Sequence, residues 1–141
     1  MFIRIFPALL LMLLLTGCSP ELKAVYSNEN GSPVKKGGAK PFQFQVYNEI
    51  EVVKIRTYHW NDGKGAIAGE IIITGPGGKE TGRWKAENKP GRNGVATALW
   101  EAETGITLKP GIYTVTTSDE RSWSYNEASL GAGFTSIYTK K

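Results

Sequence analysis

Apolar and polar residues alternate with a period of two through most of the chain, and no stretch beyond residue 41 carries the three-to-four spacing of an amphipathic helix. In "FQFQV", Phe42, Phe44 and Val46 share one face and Gln43 and Gln45 the other. "EIEVVKIRTYHW" alternates through Ile50 and Val52, then changes phase at Val53 and continues through Ile55 and Thr57, which is how a β-bulge reads in sequence. Further strands are predicted at "GEIIIT", at "TGRWKA" with Gly82, Trp84 and Ala86 on one face, at "GVATALWEA", at "GIYTVTTS" and at "GFTSIYT". In "GIYTVTTS" the inward face is Tyr113 and Val115, with Thr114 and Thr116 outward.

Turn signals separate these runs. "GPGGKE" places Pro76 and Gly77 at the centre of a type II turn, "NKPGRNG" and "LKPG" repeat the Pro-Gly signal, and "NDGKG" sets Asp62 before Gly63. About seven short strands in roughly a hundred residues, without a convincing helix, predict an all-β fold: a single antiparallel β-sandwich over 42–141, with a small barrel as the alternative.

The start of the chain follows different rules. "MFIRIFPALLLMLLLTGC" has one charge, Arg4, then an apolar run interrupted by Pro7, then small residues before the only cysteine, which is the pattern of an export signal. The run from Ile5 to Leu15 is short of the about 20 residues that span a bilayer. Leu15, Thr16, Gly17 and Cys18 resemble the lipobox of bacterial lipoproteins. That resemblance implies removal of a signal peptide, residues 1–17, and a thioether-linked diacylglycerol on Cys18, with room for an acyl chain such as palmitate on its nitrogen. Each buried methylene contributes about 0.8 kcal/mol, so two or more chains hold where one would exchange. An ordinary secretory signal with a chance cysteine, or a buried apolar segment with a free thiol, are the other readings; the first would leave an unpaired thiol in an oxidising compartment. With Ser19 rather than aspartate after the cysteine, the resemblance places a Gram-negative lipoprotein in the outer membrane, within the bacterial cell envelope.

Removal of 1–17 leaves 124 residues, enough for one domain with a core of its own. Residues 18–41, "CSPELKAVYSNENGSPVKKGGAKP", hold few sizeable apolar side chains and read as a lipidated cysteine followed by a flexible tether.

The net charge of +4 looks at first like a nucleic-acid signal. Its location argues otherwise: residues 42–139 carry 10 basic and 11 acidic side chains, and the excess lies in Lys23, Lys35, Lys36 and Lys40 and in Lys140 and Lys141. Basic tails beside a lipid anchor suit solubility or weak attraction to headgroups, and no nucleic-acid partner is expected.

Candidate chemistry is sparse. One histidine, His59, rules out a multi-histidine metal site within the chain, no serine sits in a GxSxG setting, and with Cys18 lipidated no thiol remains. Glu49 with Glu51 and Glu101 with Glu103 share strand faces and read as solvated edges.

Two segments stand out, "YHWNDGKGA" at 58–66 and "LKPGIYTVTTSDERSWSYNEASLGAGF" at 108–134. Together they resemble a domain of exported bacterial proteins with an early Trp-Asn-x-Gly-x-Gly turn and a late P-G-x-Y-x-V-x-x-S-D-x-x-x-W-S-x-N-x-x-S-x-G-x-G-F motif. The match runs through Trp60, Asn61, Gly63 and Gly65, then from Pro110 and Gly111 to Trp123, Ser124, Asn126, Ser129 and Phe134. It implies a fold and an exported setting, not an activity.

The 119–134 loop admits three uses. As scaffold, Asp119, Ser122, Ser124, Asn126 and Ser129 bond the loop's own backbone, and Trp123 plugs the end of the core. As ligand site, Trp123 or Tyr125 is a stacking platform beside Trp60, with Asp119, Asn126 and Asn61 bonding to hydroxyls. As a calcium site, Asp119, Glu120, Asn126 and Asp62 supply oxygens, although no Asp-rich loop of the right period is present and no other cofactor is expected. The functional expectation is a membrane-anchored, non-catalytic binding or interaction module for a glycan or an envelope protein. A structural subunit of an envelope complex and an envelope glycan enzyme are the alternatives.

Overall fold

The computed structural model describes Gly17 and residues 19–141; the rest of the signal segment 1–17, and Cys18 itself, lie outside the described residues. Among the described residues nine strands form two antiparallel sheets: β1 (Leu22–Ser27), β2 (Phe42–Val46), β3 (Ile50–Tyr58), β4 (Glu70–Thr74), β5 (Glu80–Lys85), β6 (Glu87–Lys89), β7 (Leu99–Leu108), β8 (Gly111–Thr117) and β9 (Thr135–Lys140). One sheet has the order β1-β9-β3-β7-β6 and the other β2-β8-β4-β5. Each sheet keeps two edges, so the fold is a sandwich and not a closed barrel.

The inward residues are the ones that alternation selects. Val46, Val52, Ile55, Ile71, Ile73, Val115 and Ile137 are buried between the sheets around Trp100 and Trp123. The register breaks between Val52 and Lys54, where the phase of β3 changes. The additional residue belongs to the partner strand: residues 103–105 of β7 stand against 53–54 of β3, and Gly105 takes φ 54°. At the β4–β5 turn, Gly77 lies at φ 79°, ψ 8° and the Gly78 N–H donates to the Gly75 carbonyl at 3.1 Å, the turn that Pro76-Gly77 predicts.

Two strands exceed the expected set, and one of them corrects the tether. Leu22–Ser27 pairs with β9 from Leu22 opposite Lys140 to Ser27 opposite Ser136. Few apolar side chains suffice because an edge strand gains its order from the ladder: β9 would otherwise expose its backbone, and Val25 and Tyr26 pack on the core, Tyr26 at 5.0 Å from the Phe44 ring. Residues 28–40 are held as well, by bridges of Lys35 to Tyr125 and of Lys40 to Ala132. The other addition, β6, is a three-residue edge beside β7. Strand β7 itself runs from Leu99 to Leu108, later than the 94–102 expected, because Gly91, Gly94 and Val95 bond one another in a turn.

Candidate functional site

The strand registers place the long connections 28–41, 59–69 and 118–134 at one pole of the sandwich, and every candidate residue of the ligand reading lies there. Their surroundings differ sharply.

Trp123 is fully buried, its indole N–H donates to the Phe134 carbonyl at 3.1 Å, and a Cβ on Gly133 would fall inside its ring. The glycine is needed so that the backbone can lie flat on the indole. A ring in that place offers no face to a sugar, so Trp123 is removed from the ligand set. The loop around it is stitched to β3: Ser124 N–H donates to the Tyr58 carbonyl at 2.8 Å, and Trp60 N–H donates to Ser124 Oγ at 2.9 Å.

Asn126 is also buried and its amide is fully engaged. Its Nδ2 donates to Asn30 Oδ1 at 2.8 Å, while its Oδ1 accepts from Asn30 Nδ2 at 3.1 Å and from Ser129 N–H at 2.9 Å. The ligand and calcium roles of Asn126 therefore give way to a structural one: it fastens the 30–33 segment to the loop. Ser129 Oγ completes the corner by accepting the Asn126 N–H at 3.1 Å, with its single proton within reach of the carbonyls of Asn126 at 2.9 Å and Ala132 at 2.8 Å.

His59 lies beneath this layer. Its Nε2 is 2.9 Å from Thr57 Oγ1, its Nδ1 is 2.8 Å from Ser122 Oγ, and its ring stacks on Trp100 at 3.8 Å and 15°. Burial drives its pKa down to about 3, and the nearby Asp119 carboxylate offsets only part of that. A neutral imidazole with both nitrogens occupied inside the core is packing and not a general base at neutral pH.

The Trp60–Asn61 turn is built on left-handed backbone, with Asn61 at φ 48°, Asp62 at 54° and Gly63 at 81°. Asn61 Nδ2 donates to the Gly65 carbonyl at 2.9 Å, and Lys36 Nζ reaches both Asn61 Oδ1 at 3.0 Å and Asp62 Oδ2 at 3.1 Å. Trp60 is half-buried with its ring over Gly63. Asp119 lies apart, accepting the Arg121 N–H at 3.2 Å and bordering a separate hollow with Glu120 and Arg121. The oxygens of the calcium reading thus do not converge: Asp62 is paired with Lys36, Asn126 faces inward, and no three His, Cys, Asp or Glu side chains gather among the described residues.

Tyr125 stays partly at the surface, as do Trp60, Asn61 and Asp119, and it also packs against the core. It is half-buried, with its hydroxyl against Gly38, and borders a shallow depression of about 330 Å³ with Lys35, Lys40, Glu127 and Leu130. Leu130 is 87% exposed at φ 57°, an apolar side chain held outward on left-handed backbone. Neither Lys35 nor Lys40 forms an ion pair among the described residues. The sequence reading missed Lys35 and Lys40 because both fall in the segment taken for a tether. Leu130 had one signal, a lone large apolar residue between Ser129 and Gly131 in a polar loop.

Comparison of the chain with protein-family models, with curated proteins and with solved structures gives no match.

Proposed function

We propose that this chain is a lipid-anchored protein of the bacterial cell envelope whose β-sandwich is a non-catalytic binding module, and that its ligand, a glycan chain, lies across the depression beside Tyr125. The observation that carries the reading is the contrast within one loop. Trp123, Asn126 and Ser129 are consumed by internal packing and bonding, whereas Tyr125 and Leu130 are left beside two lysines that form no ion pair among the described residues.

A partly exposed aromatic ring flanked by long polar side chains suits a sugar, whose apolar face packs on the ring while its hydroxyls find donors. The shallowness of the site favours an extended ligand over an enclosed small molecule. The sequestered His59 and the dispersed carboxylates support binding without chemistry. Anchorage through Cys18 rests on the lipobox resemblance.

A glycan array probed with wild type, Tyr125→Ala and Lys40→Ala tests the site. Wild type should bind a family of glycans, with each variant about tenfold weaker or worse, the loss of roughly 1.4 kcal/mol, while keeping its β circular dichroism. Equal binding by the folded variants sinks the assignment to this depression, and wild type without glycan hits sinks the ligand class.

A further inference from the structure

We infer that the pole of the sandwich opposite the loops is a lipid-facing surface that rests on the bilayer, so that the Tyr125 depression points away from the membrane. The inference rests on the reading of Cys18 as the anchored residue and goes beyond it.

The chain is built into the fold from Glu21 onward. Lys141 N–H donates to the Glu21 carbonyl at 3.0 Å, the Lys141 ammonium pairs with the Glu21 carboxylate, and Leu22 stands opposite Lys140 in the β1–β9 ladder. Only Ser19 and Pro20 separate Cys18 from Glu21, and such a link spans on the order of 10 Å even when fully extended. A tether of more than twenty residues would let the domain tumble far from the surface. This one holds the Leu22 end of β1 at the headgroups.

The strand registers show what accompanies Leu22. Lys54 opposite Tyr138 puts Lys140 level with the start of β3, where Ile50 faces Leu108; in the other sheet Val46 faces Gly111. The β2–β3 turn with Tyr47, the β7–β8 turn with Lys109, and the β4–β5 turn with Lys79, whose Pro76 lies close to Gly111, therefore share this pole. Tyr47 is 71% exposed, and an amphipathic ring is favoured at headgroup depth. Lys79, Lys109, Lys140 and Lys141 are accompanied by Glu21, Glu49 and Glu51, so the pole is close to electrical balance. The short link, and not attraction to anionic lipid, imposes the pose. With nine residues in β3, the loop pole then stands about 30 Å above the surface.

The test uses the full lipidated chain, its lipid verified by intact mass, in vesicles of phosphatidylcholine and phosphatidylglycerol. With Cys18 consumed by lipid, a fluorophore is placed on Asn48→Cys at the lower pole or on Glu127→Cys at the loop pole, and a nitroxide on the lipid headgroups quenches it. Quenching should be several-fold stronger at 48 than at 127, and a long Gly-Ser spacer between Pro20 and Glu21 should erase the difference. Equal quenching in the lipidated chain, or stronger quenching at 127, overturns the inference and leaves the anchor standing. A contrast that survives the spacer overturns the role given to the short link, and a chain without lipid on Cys18 overturns anchor and inference together.

Discussion

Single residues at the loop pole divide by what their polar atoms already do. Trp123 has its one donor satisfied by the Phe134 carbonyl and its ring closed in by Gly133, so it behaves as core despite sitting in a loop. Trp123→Ala should destabilise the domain by about 3–5 kcal/mol, since it removes a large buried ring and leaves a cavity that flanking strands cannot fill; a loss of unfolding free energy in urea of less than about a third of that would mean that the ring is not packed as described. His59 has a consequence of the opposite kind. Its folded pKa is lowered to about 3 from the ordinary 6.5, so the unfolded chain binds the extra proton between those values. Stability from this residue is therefore complete above pH 6.5 and declines as the pH falls toward 3, with a slope that approaches about 1.4 kcal/mol per pH unit. Urea unfolding of wild type and His59→Gln across that range should show a shallower slope in the variant; parallel slopes would mean that His59 titrates normally in the fold.

At the scale of elements, β1 and the segment that follows it act as a strap. Strand β1 covers the edge of β9, and residues 28–40 are laid along the 119–134 loop by Asn28, Asn30, Lys35 and Lys40. A chain beginning at residue 42 would expose the β9 edge and strand the amide of Asn126 without Asn30. It should unfold well before the chain beginning at residue 19, and tend to self-associate through the bare edge. Matching thermal midpoints and matching sedimentation of the two chains would show that the strap is an appendage. The same elements explain what could be read in advance. Strict alternation in β2 and the Tyr113, Val115 spacing in β8 mark strands buried on one face, and the phase change at Val53 marks the register break. Strand β1 has no comparable pattern, because an edge strand with a bulge between Ala24 and Tyr26 places its side chains irregularly and draws its order from a partner more than a hundred residues away.

For the whole molecule, the two poles have different composition and different reach. All the long connections gather at one end, and the link to Cys18 leaves from the other. A module so attached would present its loops outward at a set height, with little of the search volume that a long tether provides. The lysines that read as a basic tail are also redistributed by the fold: Lys35, Lys36 and Lys40 join the loop pole, while Lys140 and Lys141 join the link pole. Net charge taken from the sequence therefore says little about either surface.

Local pattern alone was enough to determine seven of the strands, the inward faces of most of them, the Pro76-Gly77 turn and the choice of all-β class, because each depends on neighbours two to four residues apart, whereas the pairing of strands into two sheets joins residues that can lie more than a hundred positions apart. The same locality made the 119–134 loop conspicuous, since so many small polar residues, glycines and aromatics in sixteen positions must satisfy backbone that no ladder covers. Only the tertiary structure decided what each of them does. Trp123 and Tyr125 are two residues apart and chemically alike, yet Gly133 closes over one and the other borders a hollow completed by Lys35 and Lys40 from roughly 85 to 90 residues upstream. The fate of residues 22–40 was likewise beyond the reach of composition, because a polar segment is ordered or free according to whether distant backbone and amide groups are waiting to bond it.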